Sequence, residues 1–253
     1  PELKENCVEF IDNKGKSHTA SLLFYTSSKK NNKIINNFNF VGKELNQEAL
    51  SVTVNITRKQ RNIAYQLFTT DGPIALLPIN DENASIVWSL KKNSDYLKIE
   101  KEELEIVLRN FFVNHLSDLK ISEIQNYELN FSYAKKLFHK NCILIGNIAH
   151  NIHPIAGQGF NLSVKDIANI DNNLTRFRSL GIDLKDDQIK ELFSDNRKFD
   201  NFIFSFGTIA MENIFSSENK FIRFLTSKGL KLINQSKLAK NFFTDKATGR
   251  FNF

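Results

Sequence analysis

The sequence predicts a mixed α/β fold, with a mostly antiparallel sheet in its first half and helices towards its end. Three observations carry this. Apolar residues alternate with period two in short segments between residues 36 and 135. Cys142 to Ile145 is a continuous apolar run that leads through a glycine-containing loop into helix-forming sequence. From 186 to 243 the pattern turns helical.

Taken in order, Val8-Glu-Phe-Ile-Asp-Asn-Lys-Gly-Lys16 reads as a strand running into a turn. Ser51 to Thr57 alternates strictly, and Asn83 to Leu90 alternates in part. Asp71-Gly72 supplies turn chemistry between strands expected at 63–69 and 73–79. Glu100 to Leu116 has helical spacing, with Leu104, Val107, Leu108, Phe111 and Phe112 on one face. Tyr127 to Phe131 returns as a strand.

Composition narrows the classes. At 253 residues and 41% apolar content the chain can build one large domain or two ordinary ones. No apolar run reaches the roughly twenty residues of a membrane-spanning helix. Cys7 and Cys142 are far apart in sequence, which favours reduced, structural thiols and a cytoplasmic setting. The net charge of +6 does not point to nucleic acid: the basic residues are scattered, with no aromatic–basic repeat and no recognisable nucleic-acid module.

The richest segment is Cys142-Ile-Leu-Ile-Gly146-Asn147-Ile-Ala-His150-Asn-Ile-His-Pro154-Ile-Ala-Gly157-Gln158-Gly159-Phe-Asn161. A buried strand meets Gly146, where backbone can approach closely. Pro154 stiffens the approach to a loop. Gly157, Gln158 and Gly159 then present bare N–H groups at a helix start, where the helix dipole favours a negative or electron-rich ligand.

This string closely resembles the second flavin-binding motif of the aromatic-ring hydroxylases, the para-hydroxybenzoate-hydroxylase-like FAD monooxygenases. Its Pro-Ile-Ala-Gly-Gln-Gly form is most like the ubiquinone-biosynthesis branch. Ile63 to Pro78 with Ser85-Ile-Val-Trp88 resembles that branch's substrate-domain sheet, and Phe193 to Asn201 resembles its Arg-x-x-Asp helix. The resemblance implies the C-terminal part of a two-domain FAD monooxygenase fold. Residues 1–35 would be a remnant of the FAD-binding domain and 36–135 the substrate-binding sheet. Residues 136–185 would be the return of the FAD-binding domain, and 186–253 a C-terminal helical region. It further implies FAD as cofactor, held by Gly146, Asn147, Pro154, Gly157, Gln158, Gly159 and Asn161. NAD(P)H and O2 would be co-substrates and a polyprenylated phenol the substrate. No catalytic side chain is assigned.

The chain departs from the family pattern in three places. Asn147 stands where the family has Asp, keeping one acceptor oxygen but losing the charge. Ser27-Ser28 stands in place of an Asp-Gly pair near the pyrophosphate. The Gly-x-Gly-x-x-Gly fingerprint of a first strand–helix unit is absent, so the chain is expected to be the C-terminal part of a longer protein. The first two departures motivate an alternative: a non-catalytic scaffold or membrane-docking partner of ubiquinone-biosynthesis enzymes.

Other features have plainer readings. His150 and His153 lack the further ligands that a structural zinc needs, so no metal is assigned and His150 is expected to be a packed residue. Arg197 and Asp200, a helical turn apart, are expected to pin a helix rather than to act in catalysis. Phe68 and Trp88 are expected in the core. Asn219 to Phe243 mixes Phe221, Phe224, Leu225 and Ile233 with Lys220, Arg223, Lys231 and Lys240. That segment either packs its apolar side on the flavin layer, the ordinary state of a surface helix, or lies peripherally on the inner face of an anionic membrane.

Overall fold

The computed structural model describes residues 1–5, 7–26, 33–58, 63–152, 159–183 and 219–248, with the isolated positions 190, 207, 210, 214 and 217. Four short strands open the chain: β1 (Glu2–Leu3), β2 (Val8–Ile11), β3 (Ser17–Ala20) and β4 (Leu23–Tyr25). The first three form a small antiparallel sheet in the order β1-β2-β3. The Asp12 carboxylate accepts from the Lys14 and Lys16 amides and so closes the β2–β3 turn.

The dominant element is a six-stranded sheet built from β5 (Phe40–Arg58), β6 (Tyr65–Thr69), β7 (Gly72–Pro78), β8 (Asn83–Lys91), β9 (Leu116–Ala134) and β12 (His150–Asn151). Its order is β12-β9-β5-β8-β7-β6, and every neighbouring pair is antiparallel. Alternation at Leu50, Val52, Val54 and Ile56 puts every second side chain of β5 on one buried face. Ile74 and Leu76 from β7, and Ala84, Ile86, Trp88 and Leu90 from β8, join them. Helix α1 (Lys101–Phe111) covers this face with Leu104 and Leu108, followed by Phe112, at the spacing of one helical stripe. Trp88 is fully buried, tilted against Tyr96 and edge-on to Phe111. Phe68, expected in the core, is partly exposed at 38% on β6, the last strand of the sheet.

Strand β9 is longer than its sequence announces. Only Tyr127 to Phe131 reads as strand, whereas the strand runs for 19 residues. Ser122 to Glu128 are exposed at every position, so no alternation marks them. Pairing with β5, from Phe40↔Ala134 to Arg58↔Leu116, holds this stretch extended.

A second layer is built on β10 (Phe138–His139), β11 (Cys142–Leu144) and β4, in that order, with β11 parallel to β4. Both faces of β11 are covered. Cys142 and Leu144 pack with Tyr25, Ile34, Ile35 and Phe38; Ile143 and Ile145 pack with Phe177. Phe177 belongs to helix α2 (Gly159–Ser179), whose Ile170 and Leu174 also lie against this layer. Cys7 and Cys142 are both free thiols, and burial pushes the Cys142 thiol up to about 12.

The helical stretch expected at 219–243 is two helices, α3 (Lys220–Gln235) and α4 (Lys237–Thr248). Asn219 caps the first by accepting from the Phe221 and Ile222 amides. Ser236 interrupts the run with extended backbone, and its hydroxyl accepts from the Ala239 amide. The expected packing of Phe221, Phe224 and Leu225 on the flavin layer is not found, since all three are more than half exposed. No helix among the described residues is long and apolar enough to cross a membrane.

Candidate functional site

The strand–loop–helix segment is anchored at both ends. At the end of β11 the chain turns at Gly146, whose φ of +76° lies in the left-handed region that favours glycine. A Cβ there would come within 3.4 Å of the Ser163 hydroxyl. Ser163 sits in the first turns of α2 and donates to the Gly159 carbonyl at 3.1 Å. The left-handed turn is thus what calls for glycine at 146, and Ser163 at the start of α2 is its neighbour. The sequence places these glycines thirteen positions apart, and the fold brings their surroundings together through one serine.

Asn147 follows in a single 3-10 turn and is exposed, so its amide group can reach a ligand. Gly159 and Asn161 lie in the first turn of α2. The first four N–H groups of a helix have no intrahelical acceptor. No acidic residue occupies the first turn of this 21-residue helix, so its positive dipole end is not neutralised locally. Pro154, Gly157 and Gln158 lie outside the described residues, as do His153, Ser27, Ser28, Arg197 and Asp200. Helix-terminal N–H groups near a left-handed glycine and an exposed amide fit an FAD whose flavin carries negative charge when reduced. No side chain among these described positions opposes it.

Beyond Asn147 the chain is stitched to the large sheet. The Ala134 amide donates to the Ala149 carbonyl, His150 pairs with Tyr133, and the Asn151 amide group donates to the Asn130 carbonyl at 2.7 Å. This seam encloses a cleft of about 370 Å³. Ile35 and Ile148 form its wall on the β4–β11 layer; Phe40, Phe131, Asn130 and Ser132 contribute from β5 and β9. Lys43, Glu44 and Glu128 also line it, so half of its ten described lining residues are polar or charged; its size is in the range of small-molecule sites. Gly42, opposite Ser132 in the pairing, also lines it; a Cβ there would sit 3.0 Å from the Phe131 carbonyl oxygen.

The sequence profile described as FAD binding domain matches residues 36–178, more than half of the chain. The chain belongs to the FAD binding domain family. Among curated relatives, it is 30% identical over 125 residues to the ubiquinone hydroxylase UbiL of Rhodospirillum rubrum, a match covering 48% of this chain and 29% of that protein. It is 29% identical over 123 residues to the 3-demethoxyubiquinol 3-hydroxylase of Escherichia coli, covering 48% of this chain and 32% of the relative. The chain thus spans about a third of the length of these relatives. The fold is that of the p-nitrophenol 4-monooxygenase PnpA of Pseudomonas putida, with a TM-score of 0.73 at 16% identity over 97% of this chain and 65% of that one. It is likewise similar to Klebsiella pneumoniae HpxO complexed with FAD and uric acid, with a TM-score of 0.69 at 11% identity over 98% and 64% of the two chains. Within this FAD binding domain, the Gly146–Ser163–Gly159 junction and the seam cleft are neighbours in the fold through Ile148.

Two parts of the site were not legible beforehand. Asp166 is one: a buried acid on α2, hydrogen-bonded to His150. Its signal was available, since it stands four residues after buried Leu162 and four before Ile170 on the apolar stripe. The cleft residues Phe40, Gly42, Asn130 and Ser132 carried no such signal, because pairing of β5 with β9 alone makes them neighbours.

Proposed function

We propose that this chain is part of an FAD-dependent aromatic-ring hydroxylase of ubiquinone biosynthesis, using NAD(P)H and O2 on a polyprenylated phenol. The observation that carries the reading is the seam cleft: it lies where the β11–Gly146 turn meets the large sheet. The flavin, when bound, supplies the redox and oxygen chemistry. One oxygen atom enters the ring as hydroxyl, the other leaves as water, and NAD(P)H supplies the two electrons.

The chain's own residues bind, orient and exclude water. Gly146 turns the chain beside the start of helix α2, and the N–H groups from Gly159 onward would stabilise negative charge on the flavin. Asn147 offers its amide to the cofactor chain, with Pro154, Gly157, Gln158 and Asn161 completing the binding set. Ile35, Ile148, Phe40 and Phe131 would seat the ring, with Asn130 and Ser132 available to its oxygen substituents, while Lys43, Glu44 and Glu128 add charge to the lining. The similarity to two ubiquinone-pathway hydroxylases supports the substrate class.

One observation favours a second reading, a non-catalytic scaffold among the ubiquinone-biosynthesis enzymes: the exposed residue at the flavin turn is Asn147, uncharged where the aromatic hydroxylases it resembles carry Asp. The deciding experiment measures flavin in protein expressed from the complete reading frame, then NAD(P)H-dependent incorporation of labelled O2 into polyprenylphenols. Stoichiometric FAD with labelled product is expected. Protein that cannot be reconstituted with FAD, yet still supports quinone production when the Gly157–Gly159 loop is disrupted, would establish the scaffold instead.

A further inference from the structure

The outer edge of β9 is closed at both ends and open in between. At one end two side chains of α1 cap it: the Arg109 guanidinium donates to the Leu119 carbonyl and the Glu105 carboxylate accepts from the Ile121 amide, both at 2.7 Å. At the other end the Asn151 amide group donates to the Asn130 carbonyl, and β12 pairs with Ser132 and Tyr133. In an antiparallel strand the N–H and C=O of one residue point to the same side, and successive residues alternate. Counting back from Asn130, the outward groups belong to Glu128, Asn126 and Ile124. The phase differs from that of Leu119 and Ile121 because Ser122 is a bulge, skipped in the pairing with β5 between Ile121 and Glu123. Among the described residues no strand pairs with this edge between Ile124 and Glu128. Every side chain of that window is exposed, Ile124 at 40% and Tyr127 at 53%.

We propose that this window is a dimerisation edge, at which β9 of a second copy adds antiparallel about a two-fold axis through Asn126. An open edge is a template for another strand, and natural edges are blunted by Lys or Pro. Ile124 to Tyr127 carry neither charge nor proline. The occupant is a second copy because the window matches itself, as a two-fold axis requires of every contact. Centred on Asn126, the pairing sets Ile124 against Glu128, Gln125 against Tyr127 and Asn126 against Asn126 of the second copy. The outward N–H and C=O groups then form about six hydrogen bonds. On one face of the sheet the two Asn126 amides meet at the axis. On the other, Gln125 and Tyr127, which share a hydrogen bond within one chain, form a single layer with their counterparts. No like charges face each other: Glu128 is held by Lys92 at 2.9 Å, and Glu123 falls opposite Leu129. Any other register drives one copy into the bulge at Ser122 or the Asn151 cap. The inference stands apart from the catalytic reading, although Ile124 of the second copy comes to lie beside Glu128 on the lining of the seam cleft.

The test is sedimentation velocity of the purified full-length protein between about 1 and 100 μM, since so short a pairing belongs with reversible, weakly held dimers. A dimer is expected. Asn126→Lys sets two ammonium groups on the axis and should raise the dissociation constant at least about tenfold. The register has its own test. Asn126→Cys in a Cys7→Ser background should close a covalent dimer under mild oxidation, because paired Cα atoms there lie about 5.5 Å apart. Ile124→Cys should not, because its two copies lie about 14 Å apart along the paired strands. Flavin content and melting temperature serve as controls, since both positions are exposed. If Asn126→Lys does not fold, the two cysteine variants decide. A monomer at every concentration, a dimer that Asn126→Lys leaves intact, or cross-linking by Ile124→Cys equal to that by Asn126→Cys would each overturn the proposal, the first by leaving the edge to a strand of another origin.

Discussion

The imidazole Nε2 of His150 lies 2.6 Å from the Asp166 carboxylate, with the histidine fully buried and the aspartate nearly so. A carboxylate only accepts, so Nε2–H is the donor, and ring Nδ1 has no partner among the described residues. The pair joins strand β12 to helix α2. That helix carries Ser163, which lies beside Gly146 and donates to the Gly159 carbonyl.

Removing one member should therefore be worse than removing both. His150→Ala takes one donor from the buried Asp166 carboxylate and is expected to cost about 1–3 kcal/mol. His150→Phe combined with Asp166→Leu should recover most of that loss in denaturant unfolding. In the complete protein, however, the double variant should still bind FAD at least tenfold more weakly than wild type, because stability returns without the geometry. Equal FAD affinity would show that the pair serves stability alone.

Trp88, the single tryptophan, is fully buried, and its indole N–H has no partner among the described residues. Native protein should emit in the blue-shifted range and move to the red on unfolding. Trp88→Ala should cost about 3–5 kcal/mol through the cavity it leaves between Tyr96 and Phe111. Trp88→Phe should cost less than about half as much, since it keeps a ring and removes the orphaned donor. Thermal unfolding of the two variants checks the order.

Gly72 opens β7 at a φ of +133°, and a Cβ there would lie 1.8 Å from the Ser89 carbonyl oxygen. Relief requires backbone to move, so Gly72→Ala is expected to lose about 4 kcal/mol or more, in the extreme tail of single substitutions. Gly15, at φ +80° with nothing within 4 Å of its added Cβ, is the control. Gly15→Ala carries backbone strain alone, about 1–2 kcal/mol.

Burial raises the Cys142 thiol from 9.0 to about 12, so it stays protonated when the folded protein is at pH 8. A thiol reagent at that pH should label Cys7 only, and Cys142 should react once the protein is unfolded. The linkage has a definite sign. The unfolded thiol ionises above 9.0 while the folded one does not, so this contribution is complete below pH 9.0 and is lost as pH rises towards about 12. Cys142→Ala should flatten the alkaline fall in stability; an unchanged profile would locate that fall elsewhere.

Legibility followed burial. Val52, Val54 and Ile56 could be read as one face of a strand because every second position meets the core, and Leu104, Leu108 and Phe112 as one face of a helix for the same reason. Ser122 to Glu128 could not be read, because that stretch of β9 is held by backbone pairing while its side chains all face solvent. The break at Ser236 was missed because its signal is a single capping hydroxyl inside an otherwise helical pattern.

The sequence by itself determined the mixed α/β class, the doubly covered strand at Cys142–Leu144 and the turn at Gly146, since each depends on local propensity and on the period of apolar residues. Only the tertiary structure decided that Phe40 and Gly42 share a cleft with Asn130, Ser132 and Ile148, and that His150 meets Asp166. It also decided that Phe221, Phe224 and Leu225 of α3 are exposed. Pairing register and packing between distant segments set these relationships, and neither leaves a trace in the local order of residues.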